Sequence, residues 1–110
     1  MQSTHRTLLH APKEARAGDV VEIRALIQHP METGYRQGPQ GIPLPRYLVR
    51  RMECHFEGSL VCAVDLHAAV AANPYLAFFM RVERSGTLTV TWRGDGGLEQ
   101  RESQTLTVLA

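Results

Sequence analysis

Apolar and polar residues alternate with a period of two through most of this chain, and helical periodicity is almost absent. From Asp19 to Gln28, Val21, Ile23, Ala25 and Ile27 fall on one side, with Glu22 and Arg24 on the other. Met52, Cys54 and Phe56 alternate with Glu53 and His55; Glu57-Gly58-Ser59 turns the chain, and Leu60, Cys62 and Val64 resume an apolar face. Farther on, Phe78, Met80 and Val82 alternate with Arg81 and Glu83. After Ser85-Gly86, Leu88, Val90 and Trp92 face in while Thr87, Thr89 and Thr91 face out. Gly94-Asp95-Gly96-Gly97 reads as a turn, and a last strand ends with Leu106 and Val108 inward against Thr105 and Thr107. Successive strand side chains point to opposite faces, so each run predicts a strand with one buried side. About seven such strands with turn signals between them predict an all-β fold, an immunoglobulin-like antiparallel β-sandwich. The disulfide and buried-Trp spacing of antibody domains is missing, so that likeness is architectural.

Three stretches break the alternation. Asp65 to Ala72 is Ala-rich and predicts a turn or two of helix, stopped by Asn73-Pro74, as a crossover between sheets. The strand that follows carries Tyr75, Ala77 and Phe79 on the side opposite Phe78 and Met80. Two aromatics on a face that should be solvated mark either a partner surface or a second buried layer. The third stretch runs from His29-Pro30-Met31-Glu32-Thr33-Gly34-Tyr35-Arg36 to Pro45-Arg46. Loops longer than ~12 residues in a small domain are usually functional or disordered. The residue types here (Met31, Tyr35, Arg36, Arg46) read as a surface that meets a partner.

Composition narrows the function. The chain has 110 residues, 44% hydrophobic and 21% charged, with a formal net charge of +1. It reads as one globular domain spanning residues 1–110. Near-neutral charge argues against nucleic-acid binding, which requires many neutralised phosphates. The local cluster Arg36, Arg46, Arg50 and Arg51 fits an acidic partner surface, or a solvated strand edge, better than a duplex. No apolar run approaches the ~20 residues of a membrane helix. Met1 to Pro12 lacks the pattern of a secretory signal, which read alone would place the protein in the cytosol.

Candidate chemistry is sparse. Cys54 and Cys62 fall on one inward face, and the intervening turn sets them opposite each other, within disulfide range. They read as two buried small hydrophobes, as a structural disulfide, or as a redox pair. His29 and Met31 are soft enough to hold copper, yet no ligand pair of familiar spacing accompanies them, so no metal or other cofactor is expected. Asp65, His67, Ser59 and Ser103 form no triad order, and no Gly-rich phosphate loop is present. The expectation is a protein that is not an enzyme.

Several of these residues resemble one family. The loop His29-Pro30-Met31-Glu32-Thr33-Gly34-Tyr35-Arg36 with its exit Ile42-Pro43-Leu44-Pro45-Arg46, the hairpin Phe56-Glu57-Gly58, the crossover Ala71-Ala72-Asn73-Pro74-Tyr75 and the strand Ser85-Gly86-Thr87-Leu88 with Val90-Thr91-Trp92 are similar to SoxZ. The resemblance runs from about Lys13 to the end of the chain. It departs at Cys62, where an apolar residue is expected, and at Asp95, which falls later than the family's acid. It implies an immunoglobulin-like subunit without a carrier cysteine, paired with a SoxY-like protein. The partner's C-terminal cysteine holds sulfur intermediates during thiosulfate oxidation. It further implies a periplasmic location, reached by export with a signal-bearing partner. On this reading Met31, Tyr35, Arg36, Arg46, Tyr75 and Phe79 are the partner-binding candidates.

Overall fold

Eight strands form in a computed structural model that describes residues 5–35, 37–66 and 72–109, six of them where the alternation places them. In chain order they are β1 (Thr7–His10), β2 (Glu14–Arg16), β3 (Asp19–Ile27), β4 (Val49–Phe56), β5 (Ser59–Asp65), β6 (Tyr75–Val82), β7 (Gly86–Gly94) and β8 (Glu99–Leu109). A three-stranded sheet in the order β1-β3-β6 faces a five-stranded sheet in the order β2-β8-β7-β4-β5. The expected sandwich is therefore present. Its short first strands were not signalled by alternation, and β2 runs parallel to the end of β8, pairing Ala15 with Val108. No local pattern announces so distant a pairing.

The core lies between the sheets. Ile23 and Ile27 from β3 meet Leu88, Val90 and Trp92 from β7 and Leu106 from β8, each at most 1% exposed. Burial of these side chains supplies most of the stabilising free energy, at ~25 cal/mol per Å2 of apolar surface. The outward threonines behave less uniformly than expected. Thr91, flanked by Glu53 on β4 and Arg101 on β8, is itself buried.

The β4–β5 hairpin differs from its expected form in an instructive way. Its loop is the two-residue turn Glu57-Gly58, both with positive φ (49° and 82°), a conformation that matches the twist of the flanking strands. This turn pairs Phe56 with Ser59 and His55 with Leu60, and a bulge at Val61 then brings Cys54 opposite Cys62. Leu60 consequently shares a face with His55 and is 54% exposed, instead of extending the apolar side. The expected helical turn of the Ala-rich crossover lies mostly outside the described residues. The chain on either side of it passes from β5 in one sheet to β6 in the other. Among the described residues no helix is long and apolar enough to cross a membrane.

Leu88 has no exposed surface and sits at the centre of the core. Leu88→Ala is expected to cost about 2–5 kcal/mol of unfolding free energy, read from the denaturant midpoint. A cost below ~1 kcal/mol would mean that the inter-sheet layer is loosely packed.

Candidate functional site

Residues 28–48 join β3 to β4 and form a self-paired loop. Its two legs are tied by reciprocal backbone hydrogen bonds between Glu32 and Tyr47, both 2.7 Å, and by a bridge between Gln37 and Pro43. A short 3-10 turn at Pro39–Gly41 reverses the chain. Tyr35 is 87% exposed and Ile42 63%, so this loop offers apolar side chains to solvent.

The root of the loop is pinned from four parts of the chain. Met31 has a positive φ of 53°, an uncommon backbone state for a side chain of this kind. It is held there because its N–H donates to His29 Nδ1 at 2.9 Å and its Sδ accepts the Val49 N–H at 3.3 Å. Asn73, at the exit of the crossover, accepts the His29 N–H through Oδ1 at 2.8 Å and donates its own N–H to the His29 carbonyl at 2.7 Å. The His29 ring packs at a tilt against Tyr47 and His5, with centroids 4.4 and 4.6 Å away and planes 34° and 42° apart, and His5 Nε2 lies 2.7 Å from the Tyr47 hydroxyl.

Asp95, from the β7–β8 turn, completes the anchor. Its carboxylate takes the Leu48 N–H at 3.1 Å, the Arg50 Nε at 2.7 Å and the Arg46 Nε at 3.2 Å, while its own N–H donates to the Leu48 carbonyl at 2.9 Å. Gly94 permits the close approach, since a Cβ there would collide with the Leu48 carbonyl oxygen. Burial by itself would raise the Asp95 carboxyl. The Arg50 and Leu48 hydrogen bonds and the charges of Arg46 and Arg50 outweigh it and hold the group below the usual carboxylate range.

These contacts alter the expected roles of several residues. Met31, expected at a partner surface, is buried in this chain, and its side chain anchors the loop. Arg46 and Arg50 share one carboxylate, and Arg51 pairs with Asp65 at 2.7 Å and Glu53 at 3.7 Å, so these arginines are not bare positive charge. Arg36 lies outside the described residues, as does His67. From sequence Asp95 and Asn73 read only as turn and crossover residues, and His5 and Tyr47 carried no expected role. An acid in a Gly-rich turn downstream of an arginine pair was the one available signal.

Tyr75 and Phe79 do project from the same face, the outer side of the three-stranded sheet, 57% and 68% exposed. The register extends Tyr75 into a row with Leu26 and Leu8, and adds Ala77 beside Arg24, Glu22 beside Phe79, and Val20 beside Arg81. Leu8 and Val20 are also more than half exposed. The row Leu8-Leu26-Tyr75 lies at the same end of the sheet as the root of the loop, because Leu26 precedes His29 by three residues. Cys54 and Cys62 are both free thiols, the first buried and the second half-buried. His29 Nδ1 is taken by the Met31 N–H and the Met31 sulfur by the Val49 N–H, and among the described residues no cluster of three His, Cys, Asp or Glu could hold a metal.

Because His29 Nδ1 accepts a hydrogen bond, the neutral ring carries its proton on Nε2, which is buried with no hydrogen-bond partner among the described residues. Burial and the nearby His5, opposed by Asp95, lower this histidine from 6.5 to about 4. The unfolded chain therefore takes up a proton between those values while the folded one does not, so stability is lost as pH falls through this window. The melting temperature is expected to decline from pH 6.5 to 4, and to decline less steeply in His29→Asn, whose amide oxygen can accept the Met31 N–H. An equal slope in the variant would assign the effect to other groups.

Comparison with protein-family models matches residues 9–105 to the family described as sulphur oxidation protein SoxZ. Among solved structures, superoxide reductase (neelaredoxin) from Ignicoccus hospitalis superposes with a TM-score of 0.76 at 18% identity, over 96% of this chain and 81% of that one. The sulfur carrier protein SoxY from Chlorobium limicola f thiosulfatophilum gives 0.66 at 16% identity, over 94% and 79%. At such identities these likenesses establish the fold alone. Comparison with curated proteins gave no match. The family match covers nearly the whole sandwich, from within β1 to within β8, together with the pinned loop, and the chain belongs to the SoxZ family of sulphur oxidation proteins.

Proposed function

We propose that this chain is the non-catalytic subunit of a SoxYZ-type sulfur carrier. It binds a SoxY-like partner whose C-terminal cysteine holds sulfur intermediates during thiosulfate oxidation. The partner brings the export signal, and the pair works in the periplasm as a heterodimer or larger assembly. The role of this chain is positional: a rigid sandwich holds the base of the partner's mobile tail, and visiting enzymes act on the thiol it carries.

The observation that carries this reading, beside family membership, is the outer sheet face on which Leu8, Leu26 and Tyr75 form a row, with Phe79 exposed across the Arg24–Glu22 ion pair. Contiguous exposed apolar patches on soluble domains usually mark interaction sites, and aromatic side chains are enriched at interface centres. The loop adds a second set of exposed apolar side chains, Tyr35 and Ile42, on a backbone already fixed at its root. A loop ordered before docking loses less conformational entropy on binding.

Co-expression with a chain ending in a Gly-Cys-Gly tail is expected to yield a stable complex. Replacing Tyr75 and Phe79 together by Ala should weaken it on the order of thirtyfold or more, measured by titration calorimetry. Arg46→Ala, combined with Arg36→Ala, should weaken docking at low salt and less so at high salt. Full affinity in the aromatic double variant would remove this face from the interface. Failure of the wild-type chain to bind any such partner would remove the proposed function.

A further inference from the structure

The β4–β5 hairpin contains a feature that partner binding does not require. Its two-residue turn pairs Phe56 with Ser59. Continued unbroken, that register would set Cys54 against Val61 and Cys62 against Glu53, leaving the two sulfurs on opposite faces. The bulge at Val61 shifts the register by one residue and makes Cys54 and Cys62 direct partners. Opposed residues of an antiparallel pair have Cα atoms ~4.5–5.5 Å apart, inside the range a disulfide spans. The two thiols also differ in access. Cys54 is fully buried beside Val90 on β7, whereas Cys62 is half-buried on β5, the outermost strand of its sheet.

We propose that Cys54 and Cys62 are a reversible redox pair, closed into a cross-strand disulfide by exchange with a disulfide-bearing oxidant. The more exposed Cys62, as its thiolate, attacks one sulfur of the oxidant's disulfide and releases the other as a thiolate. Cys54 then gives up its proton and attacks the Cys62 sulfur of the mixed disulfide, and the second oxidant thiolate departs. The chain loses two electrons and two protons, and the oxidant becomes a dithiol or a pair of thiols. The structure described above is the reduced state. Burial and the neighbouring Cys62 push the Cys54 thiol up to about 11, which keeps it protonated and inert to outside reagents and leaves the first attack to Cys62. Closure would fasten the edge strand β5 to β4 at the bulge. It would fix Val64 and Met52, which line a cavity of about 50 Å3 together with Trp92 and Leu76.

The test uses the intact chain, reduced, then incubated with oxidised glutathione, denatured and alkylated. The expected product has no alkylated thiol, a mass lower than the reduced chain by two hydrogens, no glutathione adduct and no covalent dimer. Amide exchange at Val61, Cys62 and Ala63 should be slower in that product than in the reduced chain. Cys54→Val keeps the core apolar and should stop at a stable glutathione adduct on Cys62. Two alkylated thiols after oxidation, an adduct persisting while Cys54 is present, or a covalent dimer would each overturn the proposal.

Discussion

Three strands have to cover five. The β1-β3-β6 sheet can seal the inner faces of β8, β7 and β4, and it leaves β5 at the margin. The burial along the strands records this directly: Val49, Met52 and Cys54 on β4 are at most 3% exposed, while no residue of β5 is buried. The five-stranded sheet thus ends in β5 on one side and, on the other, in the three-residue β2, which pairs parallel to the end of β8. Open strand edges invite pairing with other chains, and natural proteins blunt them with charge, brevity or bulges. Here the bulge at Val61 does so while turning Leu60 outward.

The same inequality leaves an end of the sandwich to be closed by connections. Strand ends from both sheets meet there, and the loop of residues 28–48 fills the junction between β3 and β4. Its root is held by side chains from the N-terminal segment (His5), the crossover exit (Asn73) and the β7–β8 turn (Asp95). Exposed ion pairs are worth ~0–1 kcal/mol each, but the Asp95 side chain is only 15% exposed and also accepts a backbone N–H. Its removal would leave the Leu48 N–H without its acceptor, so the anchor is more than a surface charge contact.

Local alternation made most of the fold legible. The inward sets Val21-Ile23-Ala25-Ile27 and Leu88-Val90-Trp92 are buried as their spacing required, because each strand has one face toward the core. Short or long-range features were not legible in the same way. The pairing of β2 with β8 joins residues more than ninety positions apart, and a three-residue strand carries no periodicity to read. Leu60 was misplaced because one bulge inverts every side chain beyond it, and a bulge leaves little trace in composition. At the loop, the sequence disclosed the length and the exposed residues Tyr35 and Arg46. It hid the anchor, since Asp95 lies 45 residues from Arg50 and only the folded register brings them together.

That anchor bears on how the loop could engage anything at all. Read as sequence, Arg46, Arg50 and Arg51 suggest an electropositive lure. In the folded chain each already faces a carboxylate, so the field they project is short-ranged and easily screened. What remains for recognition is shape: a self-paired ribbon with Tyr35 and Ile42 exposed, and a sheet face that carries Tyr75 and Phe79. The arginines serve first to hold that shape. Under the proposed function, apolar complementarity on a fixed scaffold carries specificity for a partner, and charge adds a contribution that salt screens.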